Sequence, residues 1–94
     1  MIHELKTWPE YFRATYFRLK NFEIRKEDRD FKVGDILDLK EYDPIERRYS
    51  GRTLRAEVVY LEGSGFPGLE KGYCVMGIIV LEGWVGEKWE VKNE

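Results

Sequence analysis

Lys20-Asn-Phe-Glu-Ile-Arg-Lys-Glu-Asp-Arg-Asp-Phe-Lys-Val-Gly-Asp-Ile-Leu-Asp-Leu39 is the stretch on which the reading of this chain turns. It joins a charged triplet, a basic loop and a glycine turn that leads into an apolar strand. Phe22 and Ile24 alternate with Asn21, Glu23 and Arg25, the period-two pattern of a strand whose successive side chains point to opposite faces. The apolar pair is expected to face a core and the polar set the opposite side. Glu23 and Arg25 share a face, and residues two apart on a strand lie roughly 6.5–7 Å apart. The acid can then orient the guanidinium and leave donors for a ligand, although an ordinary salt bridge has the same spacing.

Working outward, 94 residues suit a single domain spanning residues 1–94, because a chain this short cannot bury a second independent core. With 43% hydrophobic and 36% charged residues, the composition is that of a compact soluble domain. No apolar run is long enough to span a bilayer, and the opening Met1-Ile-His-Glu-Leu-Lys6 lacks the blocks of a secretory signal. A cytoplasmic monomer without membrane association is expected. Cys74 is the single cysteine, so no internal disulfide can form. A net charge of −2 argues against a protein that coats nucleic acid non-specifically. Any nucleic-acid contact must be local. Lys20, Arg25, Lys26, Arg29 and Lys32 could supply it, as could the acid-free run of Arg47, Arg48, Arg52 and Arg55, though solvated charged faces look the same.

Before this stretch, Ile2–Lys6 reads as a strand with His3 and Leu5 on one face and Glu4 and Lys6 on the other. Thr7-Trp-Pro-Glu10 has the form of a capping box. The helix it opens should run to about Leu19, burying Phe12, Thr15, Tyr16 and Leu19. After the stretch, a strand over Ile36–Tyr42 puts Leu37 and Leu39 inward. Asp43-Pro44 ends it, and Tyr49-Ser-Gly-Arg52 marks the turn of a hairpin into a strand over Thr53–Leu61. Gly63, Gly65, Gly68 and Gly72 with Pro67 make a loop, in which Phe66 is read as a lid over the core ahead of a stacking platform. Tyr73–Leu81 is the most apolar segment and should be a central strand buried on both faces. Gly83–Val91 reads as an edge strand, with Trp84 closing one end of the barrel. The fold class is α+β, mostly β: a small, partly closed β-barrel with one main helix near its opening.

The chemistry is bounded by what is missing. One histidine and one cysteine fall short of a zinc set, which leaves a carboxylate-only magnesium site as the remaining metal chemistry; no metal and no cofactor are expected. Neither Ser50 nor Ser64 sits in a nucleophile elbow, and Cys74 lies in the most buried strand, where it acts as a small hydrophobe. No glycine motif cradles phosphate. What remains is a cleft in which His3, Lys6 and Trp8, just ahead of the helix, meet Lys20, Glu23 and Arg25 just after it. Guanidinium forks grip phosphate and aromatic rings stack on bases, so the cleft suits an anionic, planar ligand. Lys6, Lys20, Arg25 and Arg29 would take the anionic groups, Glu23 would orient Arg25 or read a base edge, and Trp8 or Tyr73 would stack.

Lys20-x-x-Glu23-x-Arg25, followed by Val33-Gly34-Asp35, resembles the Gly-x-Lys-x-x-Glu-x-Arg signature of ASCH domains, relatives of the PUA fold. The opening His3–Pro9, the Arg25-Lys26-x-x-Arg29-x-Phe31 loop and Gly72-Tyr73-x-Val75-Met76 narrow it to a small bacterial and phage ASCH-like family of unknown function. The resemblance implies a PUA-like barrel whose cleft binds RNA or a nucleotide through Lys20, Glu23 and Arg25. Arg18 stands where the signature has glycine, so the turn into Lys20 is expected to differ. One ASCH branch is similar to an amidohydrolase that deacetylates acetylated cytidine with the signature lysine, a threonine and a later glutamate. Here Lys20 is kept, Glu23 replaces the threonine, and Glu62 and Glu70 are candidates for the glutamate by proximity alone. A hydrolase needs a complete proton-transfer set, so RNA or nucleotide binding ranks first and hydrolysis, with Lys20 as its sole assigned residue, second. A protein-interaction module using the tryptophans near the carboxyl end ranks third.

Overall fold

A computed structural model describes residues 1–81; the expected strand over 83–91, Trp84 and Trp89 lie outside them. The elements are β1 (Ile2–Thr7), α1 (Pro9–Tyr16), β2 (Phe22–Lys26), β3 (Ile36–Asp43), β4 (Arg48–Glu62) and β5 (Tyr73–Val80). They form one five-stranded sheet in the order β1-β3-β4-β5-β2, curled into a half-barrel with the single helix near its opening. β1 runs parallel to β3, and all other pairs are antiparallel. The architecture is the mostly-β α+β fold that the pattern of short strands and one helix predicts.

The core is made by residues that alternate inward along each strand: Leu5 on β1, Leu37 and Leu39 on β3, Leu54, Ala56 and Val58 on β4, and Cys74, Met76 and Ile78 on β5. Phe12 on α1 and Phe31 on the β2–β3 loop close over them. Each fully buried leucine contributes about 2 kcal/mol by leaving water. Cys74 is a buried core residue, and burial pushes its thiol pKa up, so it stays protonated and unreactive.

Several local expectations change in the tertiary context. Thr7 belongs to β1, and Trp8 occupies the N-cap of α1 without a side-chain cap bond, so no capping box forms. Pro9 can open the helix because the first-turn amides need no intrahelical acceptor. The helix ends at Tyr16, which leaves Leu19 81% exposed instead of buried. Its end is a Schellman motif: the Leu19 amide donates to the Ala14 carbonyl and the Arg18 amide to that of Thr15. Arg18 has φ 63°. It adopts the left-handed conformation that glycine takes most easily, so the turn into Lys20 forms despite the missing glycine, at a cost of about 1 kcal/mol.

The β3–β4 hairpin turns at residues 44–47, before the expected turn at Tyr49–Arg52. Tyr42 pairs with Tyr49 and Lys40 with Thr53, so Ser50, Gly51 and Arg52 form a bulge opposite Glu41, with Gly51 at φ 98°. β5 lies between β4 and the edge strand β2. It is buried on one face only, and Ile79 on the other is 56% exposed. Phe66 is exposed and does not join the buried core.

Candidate functional site

The face assignment of β2 is the reverse of its simplest reading. Glu23 is 3% exposed, whereas Phe22 and Ile24 are 44% and 52% exposed. The cause is register: Glu23 lies opposite Met76 and Arg25 opposite Cys74, and residues directly opposite each other share a face. Cys74 and Met76 point into the barrel, so Glu23 and Arg25 do too. β2 is an edge strand, and the space inside it is the barrel's opening.

Both Glu23 carboxylate oxygens are engaged. Arg25 Nε donates to Oε1 at 2.9 Å, and Lys20 Nζ donates to Oε2 at 2.9 Å and to the Phe22 carbonyl at 2.7 Å. A buried carboxylate demands such pairing, because an unpaired charge away from water is costly. Arg25 then reaches across the barrel gap, where Nη2 donates to the Lys6 carbonyl at 2.9 Å and to Thr7 Oγ1 at 3.3 Å. Arg29 Nη1 donates to the Glu4 carbonyl at 2.9 Å. These guanidinium groups span the gap between β2 and β1, the two edges of the sheet. The same bonds occupy edge carbonyls that another strand could otherwise pair with.

Above the Lys20–Glu23–Arg25 cluster lies a cleft of about 600 Å³. Lys6 and Thr7 border it from β1, Trp8 and Tyr11 from the start of the helix, and Phe22 and Ile24 from β2. The Trp8 and Tyr11 rings are nearly parallel, 17° apart with centroids 6.2 Å apart. Lys20 Nζ sits 4.9 Å from the Phe22 ring centroid and 5.9 Å from that of Tyr11, cation–π distances. Among the described residues the cleft therefore offers three cations against one carboxylate, with aromatic walls, in the volume range of small-molecule sites.

Of the residues expected in the site, Lys6, Trp8, Lys20, Glu23 and Arg25 come together here. Arg29 borders an adjoining depression. Tyr73 starts β5 opposite Lys26 and does not line the cleft. His3 is not an exposed strand residue. It is buried at the other end of β1, with Nε2–H donating to Asp35 Oδ2 at 2.8 Å and its ring edge-on to Phe31. That hydrogen bond, helped by the amino-terminal ammonium and the Lys32 amide and opposed by burial, lowers the Asp35 pKa from 3.8 to about 2. Glu62 and Glu70 do not line the cleft, and Glu23 is its one carboxylate among the described residues. Tyr11, Phe22 and Ile24 are site residues that the sequence reading missed. Tyr11 was detectable as the residue three after Trp8, one helical turn on, but Phe22 and Ile24 were assigned to the core by the face reversal. No group of three His, Cys, Asp or Glu able to hold a metal occurs among the described residues. No helix among them is long and apolar enough to cross a membrane.

The fold and cleft define a small α+β half-barrel protein with a polar, aromatic-walled opening. Residues 2–78 match the family described as a domain of unknown function, DUF3850, and the chain belongs to that family. It is also 35% identical over 57 residues to an uncharacterized 12.9 kDa protein in the GpA 3′ region of Escherichia phage P2. The match covers 61% of this chain and half the length of that phage protein.

Proposed function

We propose that the cleft binds RNA or a nucleotide. The observation that carries this reading is the juxtaposition of Lys20 with the parallel Trp8 and Tyr11 rings over the Arg25–Glu23 pair. Phosphate or another anionic group would meet Lys20 and Lys6, and a base would stack on the exposed aromatic surface, a contact worth about 1–3 kcal/mol per base. Glu23 fixes both cations so that little ordering remains on binding. The resemblance of Lys20-x-x-Glu23-x-Arg25 to the ASCH signature supports the same ligand class.

The test is equilibrium binding of a labelled single-stranded RNA, followed by fluorescence anisotropy, with Lys20→Ala and Trp8→Ala. Each substitution is expected to weaken binding about tenfold with the fold intact by circular dichroism; unchanged affinity in both would overturn the assignment of this cleft. Hydrolysis of acetylated cytidine is the weaker reading. Lys20 Nζ is bonded to a buried carboxylate, and no second carboxylate lines the cleft among the described residues. Chromatography after incubation with acetylated cytidine should show no deacetylated product.

A further inference from the structure

Two further depressions adjoin the cleft, each with more basic than acidic walls: among the described residues, Glu4 is the acid in one and Asp43 in the other. Lys6 and Arg25, which border it, also border a second depression of about 340 Å³ together with Arg29, Lys40 and Tyr49. Tyr49 in turn borders a third of about 400 Å³, with Arg48 and Arg52. Successive hollows share walls, Lys6 and Arg25 between the first and second and Tyr49 between the second and third, so they follow one another from the helix start, over the β1–β3 pair, to the β3–β4 hairpin. Two aromatic platforms flank their cations. Trp8 and Tyr11 stand at one end, and Tyr42 and Tyr49 pack edge-to-face at 5.0 Å toward the other. Lys6 Nζ lies 4.3 Å from the centroid of the half-buried Tyr42 ring, so Tyr49 supplies the exposed ring at this end.

We infer that this groove is an extended track for single-stranded RNA, so that the ligand is an oligonucleotide and not a mononucleotide; the inference rests on the cleft being an RNA or nucleotide site. Cations alternating with exposed rings are what a sequence-tolerant single-strand site uses, since every base has a π-face and every linkage a phosphate. The ion pairs along the groove leave the charge accessible. Arg48 is 3.8 Å from Glu46, an exposed pair worth little that a phosphate can displace, whereas Lys40 is 3.6 Å from the buried Asp38 carboxylate. Arg52 has a different role, because its Nε donates at 2.9 Å to buried Glu41, which also accepts from Ser50 Oγ at 2.6 Å. That network holds the Ser50–Arg52 bulge and, with it, Tyr49. The arginine run that looks like a solvated face is thus divided: Arg48 and Arg52 border the groove, whereas Arg55 turns to Asp38 at 4.0 Å. A net charge of −2 is compatible with such a track, because local field and not total charge governs a narrow groove.

The experiment is a length series: labelled single-stranded RNAs of two, four and eight nucleotides, and an unlabelled mononucleotide as competitor, measured by anisotropy against the wild type, Arg48→Ala and Tyr49→Ala. Affinity is expected to rise about tenfold or more from two to eight nucleotides. Both variants are expected to lose about tenfold with the octamer, a loss that shrinks as the oligonucleotide is shortened. Arg48→Ala should also reduce the slope of log affinity on log salt by about 0.7. Binding that depends on Lys20 but is equally tight at every length would overturn the track and leave the cleft standing. No binding at any length, the mononucleotide included, would overturn both. Both side chains are exposed, so misfolding does not obscure the result, and the wild-type series requires no variant.

Discussion

The two ends of β1 each carry a buried acid held by a base, and one of them opens on the aromatic-walled cleft. At the start of the strand, Asp35 accepts from His3 Nε2 and from the amino-terminal ammonium, and Phe31 packs edge-on against the imidazole. At its end, Glu23 accepts from Lys20 and Arg25, and the same cluster looks out on a 600 Å³ cleft with aromatic walls. The contrast teaches that a buried, paired carboxylate does not itself mark function. What distinguishes the Glu23 end is the adjoining cleft, with its surplus positive charge and ring faces with room beside them.

Substitution of the two acids should separate the ends. Glu23→Ala leaves two cations facing each other inside the opening and removes the anchor of the gap-spanning Arg25. It should cost about 3 kcal/mol in urea unfolding, the lower end of the range for breaking a buried ion pair. Asp35→Asn, which keeps the shape and loses the charge-assisted bonds, should cost about 2 kcal/mol. A smaller loss for Glu23→Ala than for Asp35→Asn would show that the open end is the weaker network and reverse the ranking.

The acid limb of the stability curve sharpens the same contrast. Asp35 is easier to ionise in the fold than in the unfolded chain, so its contribution is fully present above its ordinary pKa of 3.8 and disappears as pH falls to about 2. Asp35→Asn should flatten the stability profile across that window, and superimposable profiles would remove the role given to its hydrogen bonds. For binding, Trp8→Ala should weaken RNA affinity about tenfold, whereas His3→Ala should leave it unchanged; equal losses would merge the ends into one site. The smallest effect concerns the turn that delivers Lys20. Arg18→Gly relieves a left-handed residue and should raise stability by about 0.5–1 kcal/mol. A decrease would mean that the Arg18 Nη1 bond to the Tyr16 carbonyl outweighs the backbone strain.

Much of the molecule is legible as alternation and punctuation. The pairing of Leu37 with Leu39 on the buried face of β3, the amphipathic start of α1 at Phe12 and Thr15, and the glycine turn at Gly34 all follow from period and residue type. The cleft is half legible. The Lys20, Glu23, Arg25 triplet and the preceding Lys6 and Trp8 are found by charge and position, while Phe22 and Ile24 are lost and His3 and Tyr73 wrongly added. Ser50-Gly51 is read as a turn because glycine with small polar neighbours serves hairpins and bulges alike; only the pairing of Tyr42 with Tyr49 distinguishes them.

By itself, the sequence determined which residues travel together: Glu23 with Arg25, Phe22 with Ile24, His3 with Leu5. Strand geometry fixes those partnerships at a period of two wherever the strand is placed. Only the tertiary structure decided which member of each partnership faces inward. A one-residue change of register exchanges the faces of an entire strand, and the register of β2 is set by β5, some fifty residues away in the chain. Pairing with Cys74 and Met76 turned the charged triplet into the barrel opening and the apolar pair to its rim, and so made a cleft from what the local pattern assigned to the core.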